Sequence, residues 1–159
     1  MKWITIGQYF YRLYIVVLLI LMVPIFSFVS VYVFFSSTPI QPVAFFLTPL
    51  HLFLFMTAML VIQFLIFNKK IKSIRKDQGL RLKLEKYSDL TIVRYSLIAA
   101  VCLVLACGFY LTKDDMITGM FAFTLILLGV LWPRSAKVCR DLKLRGDERE
   151  MVYYKKDHF

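Results

Sequence analysis

The sequence predicts an all-α polytopic membrane domain: four transmembrane helices arranged as two antiparallel hairpins, with short amphipathic cytoplasmic helices at one side. Three observations carry that prediction. The chain is 60% hydrophobic and only 19% charged, with a mean hydropathy of +0.70, where a soluble domain is apolar at about the 45–50% level. Its apolar residues gather into four stretches, 13–35, 43–67, 92–111 and 116–132. Each approaches the roughly 20 residues a helix needs to cross a bilayer core about 30 Å thick. Asp, Glu and Lys are absent from all four; Arg94, near the start of the third, is counted with the basic flank before it.

The third observation is the sidedness of charge. Of the 20 Lys and Arg residues, all but Lys113 fall in three segments: before the first stretch, between the second and third, and after the fourth. The two remaining connections hold only Lys113, Asp114 and Asp115. The positive-inside rule then places both termini and the middle segment in the cytoplasm, an arrangement that four crossings satisfy. The expected setting is a bacterial cytoplasmic (inner) membrane. The whole chain, 1–159, reads as one domain, with cytoplasmic segments at about 68–91 and 134–159, neither large enough to bury its own core.

The first helix opens among Tyr9, Phe10, Tyr11, Arg12 and Tyr14, aromatic and basic residues suited to the headgroup layer. Its apolar run is too long for a signal peptide and lacks a clean small-x-small cleavage site, so it reads as a retained helix. Pro24 removes one backbone donor near its middle, which membrane helices tolerate. Pro39 and Pro42 mark the turn into the second helix. That helix carries the polar candidates Thr48, His51 and Gln63. An ionisable residue at membrane depth is a functional hypothesis by default, but the modest depth of His51 favours structural hydrogen bonding over chemistry. Gln63 can act as helix glue toward Ser96 or Tyr95.

Across the middle segment Leu80, Leu84 and Tyr87 recur at helical spacing amid charges, predicting an amphipathic surface for the membrane interface or a partner helix. Ser88 and Asp89 are expected to cap the third helix. Ala99, Ala100, Cys102, Ala106 and Gly108 make that helix the interior packing element, because small side chains allow close approach. Residues 134–144 predict a basic interfacial helix with Ala136, Val138, Cys139 and Leu142 on one side, interrupted by Gly146. The tail beyond is expected to order only against something else. Asp89, Asp141 and Asp147 read as ordinary partners of neighbouring basic residues. Both halves repeat one order of features, Arg12 with Tyr14 corresponding loosely to Arg94 with Tyr95.

No catalytic constellation stands out: there is no His-x-x-x-His, no paired acids on an apolar helix and no Gly-x-Ser-x-Gly. The chain reads as a non-enzyme, with no metal site and no cofactor. Cys102, Cys107 and Cys139 have no metal-ligand spacing. The formal charge of +10 is explained by topology and anionic lipid, with no nucleic-acid motif. The function expected is that of a small integral membrane scaffold or accessory subunit, acting through helix packing and basic cytoplasmic surfaces. Its partners would be the bilayer and its anionic lipids, and a second copy or a larger membrane protein. The docking candidates are Arg12, Lys69, Lys70, Lys72, Arg75, Arg134, Lys137 and Arg140. The alternative is an oligomeric channel or transporter component lacking an intramembrane carboxylate, lined by His51, Thr48, Gln63 or Ser96.

Overall fold

A computed structural model describes residues 5–35, 49–76 and 79–156, and six helices account for nearly all of them. In chain order they are α1 (Ile6–Phe35), α2 (Pro49–Ile74), α3 (Leu80–Thr112), α4 (Asp115–Val130), α5 (Ser135–Leu142) and α6 (Gly146–Tyr154). There is no strand among the described residues. By length and composition, α1, α2 and α3 can each cross a membrane. The fourth apolar stretch differs from expectation. α4 has only 16 residues and reaches spanning length only if joined to α5, across a bend of 77°. Thr48 and the turn at 36–42 lie outside the described residues.

α3 is the central helix. α1 packs along it, α2 and α4 pack on its other sides, and α5 with α6 form a cap. The two helices of the expected first hairpin thus lean chiefly on α3 rather than on each other. Aromatic contacts fix the directions. Tyr14 of α1 and Tyr95 of α3 both meet Trp132 beyond α4, at 5.9 and 6.4 Å between centroids. Further along, Phe28 of α1 meets Phe109 of α3 at 5.5 Å and stacks on Phe121 of α4 at 3.9 Å. α1 and α3 therefore run the same way and α4 the opposite way. α2 also opposes α3, since Phe67 lies beside Tyr87 and Leu52 beside Gly108.

The buried positions follow helical spacing. α2 buries Leu52, Met56, Gln63, Phe67, Ile71 and Ile74 as one stripe, flanked by the partly buried Met59 and Leu60, and most of its other apolar residues face outward, as lipid-facing surface does. α3 buries Ala99, Cys102, Ala106 and Gly108, so the helix packed on three sides is the one with small side chains. Ser96, Ala100 and Cys107 face outward. A Cβ on Gly108 would sit 2.6 Å from Leu52 Cδ1, which makes this the tightest approach of α2 to α3 at any glycine. Helix hydroxyls return to their own backbone: Thr57 donates to the Phe53 carbonyl, Thr112 to Gly108 and Thr124 to Met120, each at 2.9 Å.

The start of α3 corrects the expected capping. The helix runs without a break from Leu80, and Ser88, inside it, donates to the Glu85 carbonyl at 2.7 Å. Leu84 and Tyr87, predicted to face a membrane or a partner helix, are buried within the chain itself. On α5 the apolar side formed by Val138, Cys139 and Leu142 is likewise buried in the protein, while Ala136 is exposed. Lys143 ends α5 in the left-handed region and Gly146, at φ +53°, begins α6. The tail through Tyr154 is thus a helix, which packs on α5 and fully buries Val152.

Candidate functional site

The unbroken α3 places Tyr87, Ser88, Thr91, Arg94 and Tyr95 on one face, at helical offsets of one, four, seven and eight residues, and all five are buried. This polar stripe lies at the basic end of the bundle, where the start of α1, the end of α2, and α5 and α6 converge. Its central member is Arg94, only 7% exposed. The guanidinium carbon sits 4.3 Å from the centre of the Phe67 ring, a cation–π contact in a desolvated setting. Its Nε has no hydrogen-bond acceptor, nor do Thr91 Oγ1 and Tyr95 Oη have partners. A buried guanidinium without a paired carboxylate is costly, and this stripe gathers three buried polar side chains with an unsatisfied atom.

Asp141 of α5 is the acid nearest this problem. Its Oδ2 accepts from the Tyr87 hydroxyl at 3.1 Å, and its backbone carbonyl accepts from Arg75 Nε at 2.7 Å. One residue thereby fastens α5 to both α3 and α2. Asp141 is not an ordinary ion-pair partner for adjacent cations, as its neighbours in sequence suggested; its carboxylate takes a phenol 54 positions away. A second clasp joins α6 to α3, where Lys83 Nζ meets Glu148 Oε2 at 3.1 Å. A third brings Lys155 Nζ over the rings of Phe10 and Tyr14, at 5.5 and 5.6 Å.

Within α5 and α6, Asp141 and Glu148 are engaged in holding the cap, whereas Arg140, Lys143, Arg145 and Arg149 line one outward groove of about 610 Å³ together with Tyr153, with no carboxylate among its lining residues. Asp147 and Glu150 stay exposed, Glu150 in an adjoining hollow that shares Arg149 and Tyr153. A neighbouring concavity at the α4–α5 corner brings together Arg134, Lys137 and Arg140. Lys137 Nζ donates to the Val130 carbonyl at 3.3 Å. Burial, followed by repulsion from Arg94, lowers its pKa below that of an ordinary lysine.

Of the docking candidates, Arg134, Lys137 and Arg140 are gathered in one place, and Lys69, Lys70 and Lys72 stand exposed near the end of α2. Arg75 serves the internal clasp, and Arg12 is exposed on α1. Arg12 and Arg94, matched by the sequence repeat, thus have opposite environments. The polar candidates do not form a group: Gln63 is buried in α2, whereas His51 and Ser96 are exposed. A wide groove of about 680 Å³ between α2 and α4 is walled by Phe53, Met56, Leu60, Phe64 and Phe123 over Gly119. It offers apolar surface and little chemistry. No three potential metal-ligating side chains cluster among the described residues.

Sequence reasoning missed Arg94 as a buried residue and Asp141 as the fastening point. The signal for Arg94 was present in the spacing of Tyr87, Thr91, Arg94 and Tyr95, but it required the helix to begin at Leu80. Comparison with protein-family models, with curated proteins and with solved structures finds no match for this chain.

Proposed function

We propose that this chain is a small integral membrane scaffold or accessory subunit of a bacterial cytoplasmic membrane, with four crossings and both termini inside. Its working surface is the α5–α6 cap. The observation that carries the reading is the groove there: Arg140, Lys143, Arg145 and Arg149 line it without a carboxylate, while Asp141 and Glu148 are taken up by Tyr87 and Lys83. Such a groove suits an acidic segment of a larger membrane protein, because complementary potential directs encounter and register. Helix packing around α3 supplies a rigid base for it, and the function resides in binding rather than in bond-making chemistry.

The test is gentle extraction with native lipids, followed by particle mass and identification of co-purifying chains. A stable complex with a larger protein is expected. The triple reversal Lys143→Glu, Arg145→Glu and Arg149→Glu is expected to release that partner while the amount of chain in the membrane stays unchanged. A closed ring of identical copies that passes ions would overturn the accessory reading in favour of a channel or transporter component.

A further inference from the structure

The α4–α5 corner combines two surfaces that one class of molecule matches. α4 stops at Val130 because Pro133 lacks a backbone donor and disfavours helix in the residue before it. The chain then turns by 77° into α5. Inside the turn is a concavity of about 610 Å³. One wall is cationic, formed by Arg134, Lys137 and Arg140, and no carboxylate lines it. The other belongs to α4: Ile126 and Val130 are 68% and 76% exposed, and Gly129 between them leaves a floor where an added Cβ would meet nothing within 4 Å. Trp132 stands at the junction, the position of an interfacial aromatic.

We propose that this corner is a binding site for an anionic phospholipid, its phosphate held by Arg134 and Arg140 and one acyl chain laid over Gly129 between Ile126 and Val130. Charge complementarity selects the phosphate, and the adjoining apolar wall selects a molecule with a hydrocarbon chain attached to it. Lys137 adds a third positive charge, with one of its three N–H donors already serving the Val130 carbonyl. An extended acidic peptide would leave backbone polar groups against Ile126 and Val130, where they have no partner. A free phosphate would leave that wall uncovered. The site rests on the membrane placement proposed above, but needs no protein partner; it shares Ala136 and Arg140 with the α5–α6 groove and is otherwise separate from it.

Trp132 is one of two tryptophans, so Trp3→Phe leaves it as the sole indole, excited selectively at the red edge of the tyrosine absorption. This variant, reconstituted into phosphatidylcholine vesicles, is titrated with phosphatidylglycerol brominated on its acyl chains, and separately with brominated phosphatidylcholine. The expected result is preferential quenching by the anionic lipid, falling roughly fivefold for each cation removed in Arg134→Gln and Arg140→Gln. Gly129→Leu is expected to abolish the preference by filling the floor while leaving helix content unchanged, which keeps the test decisive if the charge variants fold poorly. Equal quenching by the two lipids overturns the proposal. So does relief of quenching by inorganic phosphate, which would make the site one for free anions. Failure of the chain to enter vesicles would instead strike the membrane reading itself, and loss of partner binding on reversal of Lys143, Arg145 and Arg149 has no bearing on this site.

Discussion

α2 and α3 are nearly equal in hydropathy, yet only 22% of the most apolar window of α2 is buried in the protein against 56% for α3. Hydropathy reports that a helix can enter a membrane; it is silent about which helix others gather round. The difference lies in residue size and polarity. α3 offers Ala99, Cys102, Ala106 and Gly108 to its neighbours, with Tyr87, Thr91 and Arg94 below them. α2 turns Phe53, Leu54, Phe55, Phe64 and Leu65 outward. In a bilayer the apolar solvent gives no reward for burying Leu or Phe, so close van der Waals packing and polar contacts decide the centre.

The sharpest way to break this contrast is to enlarge the crowded helix. Gly108→Leu is expected to destabilise the protein by about 3 kcal/mol, the upper end for overpacking, measured by unfolding in detergent micelles. Because the obstructing atom belongs to Leu52, adding Leu52→Ala is expected to restore part of the loss through a non-additive coupling. Asp141→Ala comes next, at about 2 kcal/mol, the range for a hydrogen bond to a charged group. It should raise amide hydrogen exchange across 135–142 while leaving α1 unchanged; Tyr87→Phe should reproduce part of that effect. Lys83→Gln is expected to cost under about 1 kcal/mol, with the difference shrinking as salt is added, since the pair is partly exposed. Leu65→Ala, on the outward side of α2, is expected to change stability by less than about 0.5 kcal/mol. A large loss there would show that α2 is covered by a further chain.

The contrast also explains what was legible before the structure. Apolar runs and small residues are local properties, so three helices of membrane-crossing length and the central place of α3 could be read directly, whereas the shortness of α4 could not. Val138 and Leu142 marked an apolar side of α5, expected at the membrane interface; that it packs into the protein instead could not be read, because the phenol that Asp141 takes lies 54 positions away. Arg94 was hidden by a boundary effect. It sits where an apolar run meets a basic flank, and counting it with the flank removes it from the interior it occupies. The pairing of Lys83 with Glu148, 65 positions apart, was beyond local reading for the same reason. The four outward cations of the α5–α6 groove were visible as a basic tail, but their separation from Asp141 and Glu148 required the fold.

The shortness of α4 has a mechanical consequence for the surrounding lipid. Sixteen residues make a rod about 24 Å long at 1.5 Å per residue, below a hydrocarbon thickness of about 30 Å. α3, with 33 residues, extends about 50 Å by the same rule. In the four-crossing arrangement proposed above, the flank that α4 forms therefore meets the bilayer with a hydrophobic height several ångströms too small, while the longer α3 stands at the centre of the bundle. Such mismatch is relieved by thinning of the adjacent leaflets or by tilt. The protein would carry a thin annulus on one side only, and membranes of short-chain lipid would accommodate it at least strain.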